Sequence, residues 1–399
     1  MTAIWTTCAS ALFDCFSLNL PSLLSYTLNT DPVYTPPTTV SAFVTERNPL
    51  GSKRRFVSYT PSLWENTWIE HVEEWAKDEK ICDVLTHEQA PLLHDFLNMT
   101  CTVRYLEPYQ HWCIIDDGNH PLWYNTAHRA AFDLHWSNPL NPRKAKLGEP
   151  RPITPGPEHE AVLSKFRFLD ETTGLFHDEY IEPLVSHLRF PLARCMKDAS
   201  KKRKERDYDI HFRGFVLPPP ASIPYNNALY FDVGATQWVD DVGGKSLGYL
   251  YNTWKDHGVP FDKVYAFESK TKPKDFYKEL PYEVQQKVEY VKCTVASSPD
   301  DDKPETPFVP QYIKRFSERD DYVVLKLDVD GDVSEEGNIE FIIDDIENTI
   351  DEIFWEHHVK GNYLLQDEWG EEAAPITMSG SYAYFLALRR KGIRAHSWV

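Results

Sequence analysis

The sequence predicts an α/β protein: a mostly parallel sheet with helices on both faces fills the C-terminal part of the chain, after a separate N-terminal α+β region. Three observations support this. From Ala228 onward, apolar runs of strand length alternate with stretches of helical length. Several of these runs end in an acidic residue or a glycine, as strands do where a ligand is received at their carboxyl ends. Upstream, Leu217-Pro218-Pro219-Pro220-Ala221-Ser222-Ile223-Pro224 stiffens the backbone and removes amide donors, which marks residues 217–226 as a connector.

The elements follow in order. Strand Ala228–Val233 leads to helix Lys245–Asp256, where Leu247, Leu250, Tyr251 and Trp254 form an apolar stripe. Strand Lys263–Phe267, helix Pro273–Gln286, strand Val288–Cys293, helix Pro310–Glu318 and strand Tyr322–Asp328 continue the pattern. Then come helix Asp332–Asn348, strand Glu352–Glu356, helix Ser379–Arg390 and strand Ile393–Trp398. Lys391-Gly392 closes the last helix, a basic residue and a glycine being the usual stop.

A chain of 399 residues exceeds the usual size of one core, so residues 46–216 are expected to form a unit of their own behind a tail, 1–45. Trp64 to Trp75 has helical spacing, Pro139 to Pro157 is a proline-rich loop with basic residues, and Tyr180 to Pro191 sets His187 and Arg189 among apolar side chains. Lys201 to Asp207 reads as a solvated face or loop. Met1 to Leu28 carries almost no charge, but Asp14, Asn19 and Pro21 make it too polar for a spanning helix. It is read as a targeting or disordered segment that ends near Thr35-Pro36-Pro37-Thr38-Thr39.

Composition narrows the partners. Forty-two basic against sixty-one acidic residues give a net charge of -19, which opposes a phosphate backbone and excludes nucleic acid as an expected partner. The seven cysteines are scattered without a Cys-x-x-Cys pair, so they predict no metal centre. Asn98-Met99-Thr100 is a glycosylation sequon, which keeps the secretory pathway open beside a cytoplasmic location.

The chemistry is expected at the strand ends. Asp232-Val233-Gly234-Ala235 closes the first strand, where glycine permits close backbone approach and the carboxylate repels phosphate but attracts a cationic or hydroxyl-rich ligand. Glu268 ends the second strand, placed to accept bonds from ribose hydroxyls. Asp328 and Asp330 follow the fourth, and Glu356, His357 and His358 the fifth, so a parallel sheet gathers them on one edge. The bland reading of the two histidines is a pair of partly buried structural imidazoles.

In this order, Asp232-Val233-Gly234-Ala235, Phe267-Glu268, Leu325-Lys326-Leu327-Asp328-Val329-Asp330-Gly331 and Trp355-Glu356-His357-His358 resemble the FkbM family of S-adenosylmethionine-dependent methyltransferases over residues 229–399. The resemblance implies a Rossmann-like methyltransferase sheet with an antiparallel last strand. It also implies S-adenosylmethionine as cofactor and O-methylation of a small-molecule, glycan or lipid hydroxyl. By the same likeness Asp232, Gly234 and Ala235 hold the methionine end and the turn, Glu268 the ribose, and Val295 and Ala296 the adenine edge. Asp328 and Asp330 would face the methyl donor and acceptor. With Glu356 and His357 they make up the expected catalytic group, in which His357 or Asp328, from its position at a strand end, is expected to act as base. The family usually carries glutamate where Asp330 stands.

One departure is larger. Thr236-Gln237-Trp238-Val239-Asp240-Asp241-Val242 intervenes before Gly243-Gly244-Lys245-Ser246, read as a bulge after which Gly243-Gly244 starts the helix. A phosphate loop is not formed, since Val239 stands where the motif needs glycine. Two rivals stay open: a metal-dependent glycosyltransferase using Asp328 and Asp330 as an Asp-x-Asp pair, and an inactive methyltransferase fold that serves as an interaction module.

Overall fold

The computed structural model describes residues 54–75, 84, 88–89, 91–92, 156–185, 215–223, 225–238, 246–329, 332–345, 349–359 and 376–398. The uncharged N-terminal segment, the sequon, most of the Pro139 to Pro157 loop, His187, Arg189, the Lys201 to Asp207 run, Gly243-Gly244 and Asp330 lie outside the described residues.

The C-terminal sheet has six parallel strands: β4 (Ala228–Val233), β5 (Lys263–Glu268), β6 (Val288–Lys292), β7 (Tyr322–Leu327), β8 (Glu352–Trp355) and β9 (Arg394–Ser397). Their spatial order is β6-β5-β4-β7-β8-β9. Strands β4 and β7 are buried at every position because helices cover both faces, which is why they read as continuous apolar runs rather than alternating ones.

The last strand corrects an expectation. It was expected to be antiparallel, yet β9 pairs parallel with β8, from Glu352↔Arg394 to Trp355↔Ser397. The reason is the connection: β9 is reached through a helix, Met378–Arg390, and a helical crossover returns the chain in the same direction, whereas reversal needs a hairpin.

Among the described residues the helices of this part are α2 (Ser246–Asp256), α3 (Pro273–Glu279), α4 (Tyr282–Gln285), α5 (Val309–Phe316), α6 (Asp332–Asp344) and α7 (Met378–Arg390), counting α1 (Leu63–Trp75) upstream. On α2 the stripe Leu247, Leu250, Tyr251 and Trp254 is buried against Tyr230, Phe261 and Val264. The single helix expected over Pro273–Gln286 is two: Leu280 is extended (φ -76°, ψ 140°), because Pro281 drives the residue before it out of the helical region.

Upstream, β1 (Arg54–Thr60), β2 (Ser164–Asp170) and β3 (Phe176–Ile181) form an antiparallel sheet. The periodic segment from Trp64 to Trp75 is α1, whose buried positions include Trp64, Trp68, Val72 and Trp75, one helical stripe. The β2–β3 hairpin turns at Gly174 (φ +71°), while Asp170 Oδ1 accepts from the amides of Thr172 and Thr173.

Glu46–Val399 is one compact unit, so both sheets belong to the same body. Buried charges join them. Arg389 of α7 lies 2.9 Å from Glu65 of α1, and Glu65 also accepts from Ser164 Oγ and the Leu184 amide. Arg394 of β9 and Arg54 of β1 both meet Glu179 of β3, at 3.5 and 2.5 Å. Burial alone would raise the Glu179 carboxyl; Arg54, with His177 and Arg394, holds it down to about 2.

Candidate functional site

The strand order reverses between β4, whose neighbours run on to β5 and β6, and β7, whose neighbours run on to β8 and β9. In open parallel sheets a ligand crevice forms outside the carboxyl ends at such a point. A cavity of about 350 Å³ lies there, lined among others by Val233, Gly234, Glu268, Val295, Asp328 and Glu356. It therefore draws on the ends of β4, β5, β6, β7 and β8 at once.

Gly234 is required at the β4 end. Its φ is +99°, and an added Cβ would stand 1.7 Å from the Asp328 carbonyl oxygen. The close approach that the glycine permits is thus to the loop after β7. The amides of Gly234 and Ala235 both donate to Phe267 O at 3.0 Å, which draws the turn across the end of β5. Ala235 itself packs in the core and does not line the cavity. Asp232, one residue inside the strand, is fully buried beneath the site, 3.9 Å from Lys326 Nζ.

Glu268 opens on the cavity from β5. Its Oε1 accepts from the amides of Lys270 and Thr271, so the carboxylate organises the turn that carries Ser269 and Lys270 into the lining. At the β6 end Cys293, Thr294 and Val295 line the opposite wall. Burial, then the nearby charge of Glu268, pushes the Cys293 thiol up to about 11, so it stays protonated. Ala296 is not in the lining; its carbonyl accepts from Asn338 of α6 at 2.9 Å. Helix α6 sits hard on this loop, since a Cβ at Gly337 would meet Ser297 O at 2.1 Å.

The floor is an acidic cluster around one lysine. Lys326, fully buried in β7, lies 2.5 Å from Asp328 Oδ2, and the Trp398 indole Nε1 donates to that same oxygen at 3.1 Å. Glu356 leaves β8 beside it, its amide donating to Leu327 O at 3.1 Å. Burial first, then the charge of Asp328 and a hydrogen bond with it, pushes the Glu356 carboxyl up to about 7, against the pull of His358. Beneath them Glu335 of α6 is held by the Val329 amide (2.7 Å) and Trp355 Nε1 (3.1 Å). Burial, then Asp328 and Glu356, pushes Glu335 up to about 8.

His357 is elsewhere. Successive residues leaving a strand face opposite sides, so with Glu356 on the cavity His357 turns into the protein. Its ring stacks on Trp355, Nδ1 lies 2.7 Å from Ser381 Oγ, and Nε2 lies 3.5 Å from Glu336. It is 1% exposed and absent from the lining.

Of the residues singled out from sequence, the cavity thus gathers Gly234, Glu268, Val295, Asp328 and Glu356. Asp232, Ala235, Ala296 and His357 pack around it, and Asp330 is outside the described residues. Sequence reasoning passed over Lys326, Glu335 and Trp398 as site residues. Lys326 carried a signal, since an ammonium inside the run Tyr322-Val323-Val324-Leu325-Lys326-Leu327 must find a buried counter-charge. Glu335 and Trp398 carried none, because only the fold brings α6 and the end of β9 to this floor.

Comparison of the chain with protein-family models, with curated proteins and with solved structures finds no match. Among the described residues, no helix is long and apolar enough to cross a membrane.

Proposed function

We propose that the cavity is a nucleoside-cofactor site and that the protein is an S-adenosylmethionine-dependent methyltransferase acting on a hydroxyl of a small molecule, glycan or lipid. One observation carries the reading: a single cavity at the switch point joins a glycine turn, a ribose-accepting acid and an acidic floor, in Gly234, Glu268, Asp328 and Glu356. Glu268 ends the strand next to β4, where a carboxylate can take both ribose hydroxyls. Val295, with Cys293 and Thr294, offers a wall for the adenine at the β6 end.

The donor set fits a cofactor with a positive charge and no phosphate. A diphosphate at this cavity would meet Glu268, Asp328 and Glu356, and the turn Asp232-Val233-Gly234-Ala235-Thr236-Gln237 lacks the repeated glycines that pyrophosphate binding uses. The same argument weakens the glycosyltransferase alternative. Lys326 already neutralises Asp328 at 2.5 Å, and its ammonium repels a divalent cation at that carboxylate.

When bound, the cofactor supplies an electrophilic methyl group on a sulfonium. The protein's part is alignment and removal of one proton from the acceptor, which together account for most of what such a site has to do. Titration calorimetry with S-adenosylmethionine in metal-free buffer tests the reading. Saturable binding that weakens in Glu268→Gln supports it; no binding, or binding of only a sugar nucleotide with manganese, removes it.

A further inference from the structure

We propose that Asp328 and Glu356 act as one carboxyl pair that shares a single proton on the cavity floor, and that this pair, rather than His357, takes the proton of the acceptor hydroxyl. The inference rests on the methyltransferase reading for its second half only. Its first half is a property of the chain by itself.

The geometry is that of two acids leaving neighbouring parallel strands at the same level. Leu327 and Trp355 are paired in register, so the next residues, Asp328 and Glu356, stand side by side, and both line the cavity. One oxygen of Asp328 is fixed, because Oδ2 receives both the Lys326 ammonium and the Trp398 indole N–H. That arrangement sets a positive charge and an N–H donor against Asp328 and leaves its hydrogen bond with Glu356 to be made by a carboxyl proton. Two half-buried carboxylates side by side disfavour double ionisation, so the titration belongs to the pair.

The surrounding charges agree. Lys326 and Asp232 lie below, Glu335 faces from α6 while Glu336 pairs with His357 behind, His358 Nε2 is 3.8 Å from Glu356 Oε2, and Glu268, Lys270 and Cys293 line the far wall. His357 is kept from the cavity by Ser381 and Trp355. Its contacts leave it no path to a substrate oxygen in this arrangement.

In the transfer step, the acceptor oxygen loses its proton to the pair and forms a bond to the methyl carbon. The carbon–sulfur bond breaks and its electrons stay on sulfur, so a sulfonium becomes a thioether. Charge balances: the cation disappears and the pair gains one proton.

Carboxyl-selective carbon NMR of the protein without ligand tests the first half. We expect two steps above the ordinary carboxyl range: one near neutral pH that is lost in Glu356→Gln and altered in Asp328→Asn, and one at higher pH that is lost in Glu335→Gln while the first is retained. If Asp328 and Glu356 titrate only in the ordinary acid range in the wild type, the pair is refuted, whether or not the variants fold. Calorimetry with S-adenosylmethionine at pH 7 in two buffers of different ionisation enthalpy tests the second. A bound cation lowers the pair's proton affinity, so a fraction of a proton should be released, and Glu356→Gln should bind with that release lost. Binding with buffer-independent enthalpy overturns the role of the pair while leaving the cofactor assignment intact. Failure of S-adenosylmethionine to bind overturns the proton-accepting role and the methyltransferase reading together, while the carboxyl titration still decides the pair.

Discussion

Glu335 is the most exacting test of the acidic floor, because its carboxyl is held protonated in the folded protein and ionised in the unfolded chain at neutral pH. Its pKa moves from an ordinary 4.5 to about 8 on folding. The folded state therefore binds more protons, and this group's contribution to stability falls as pH rises from about 4.5 to about 8, then levels off. At pH 7 the penalty is about 3.5 kcal/mol, from roughly two and a half pH units at about 1.4 kcal/mol each. Glu335→Gln removes it. The amide keeps one acceptor oxygen, so one of the bonds from the Val329 amide and Trp355 Nε1 is given up, at about 1 to 1.5 kcal/mol. The net expectation is a variant more stable than wild type by about 2 to 2.5 kcal/mol at pH 7, an advantage that disappears by about pH 5. Urea unfolding across pH 4.5 to 8.5 reads this directly. A variant that is less stable at pH 7, with the wild-type dependence of stability on pH, would refute the argument.

Other outcomes follow from single contacts. Gly234→Ala forces a side chain into a positive φ and onto the Asp328 carbonyl, so it should lose at least about 2 kcal/mol in urea unfolding; an unchanged midpoint would mean the turn is not held as described. Glu268→Gln should weaken S-adenosylmethionine binding by about 1.5 to 3 kcal/mol in calorimetry, and equal affinity would remove Glu268 from the site. Glu65→Ala leaves Arg389 buried beside Tyr59 without its carboxylate and should destabilise by about 3 to 5 kcal/mol, with faster hydrogen exchange in β2 and α7. A loss below about 1 kcal/mol would show that the Glu65–Arg389 pair does not help to hold the two sheets together.

The parallel half of the fold was legible because strands covered on both faces are apolar throughout and their helices carry a stripe, as Tyr322–Leu327 and Leu247 to Trp254 do. What failed there depended on local chemistry or on neighbours. Pro281 broke one helix through the residue before it, and the direction of β9 followed from a connection rather than from its own sequence. The small sheet was harder to see. Strands β1, β2 and β3 hide a mixed surface, with Arg54 and Glu179 turned inward as an ion pair, so their charge obscures the alternation. The hairpin signal was nevertheless present, in Asp170-Glu171-Thr172-Thr173-Gly174 between Phe168 and Phe176. At the site, residues that end strands were found from sequence, because a parallel sheet gathers them without further information. Side-chain direction was not: one residue separates Glu356 in the cavity from His357 behind it, and Asp232 points to Lys326.

Whether the cavity receives a cationic nucleoside cofactor that carries no phosphate is decided by calorimetry of S-adenosylmethionine binding in the presence of a chelator. One saturable site per chain is expected, formed without divalent metal and weakened in Glu268→Gln. Absence of binding by S-adenosylmethionine, or heat only from a sugar nucleotide once manganese is restored, would contradict it.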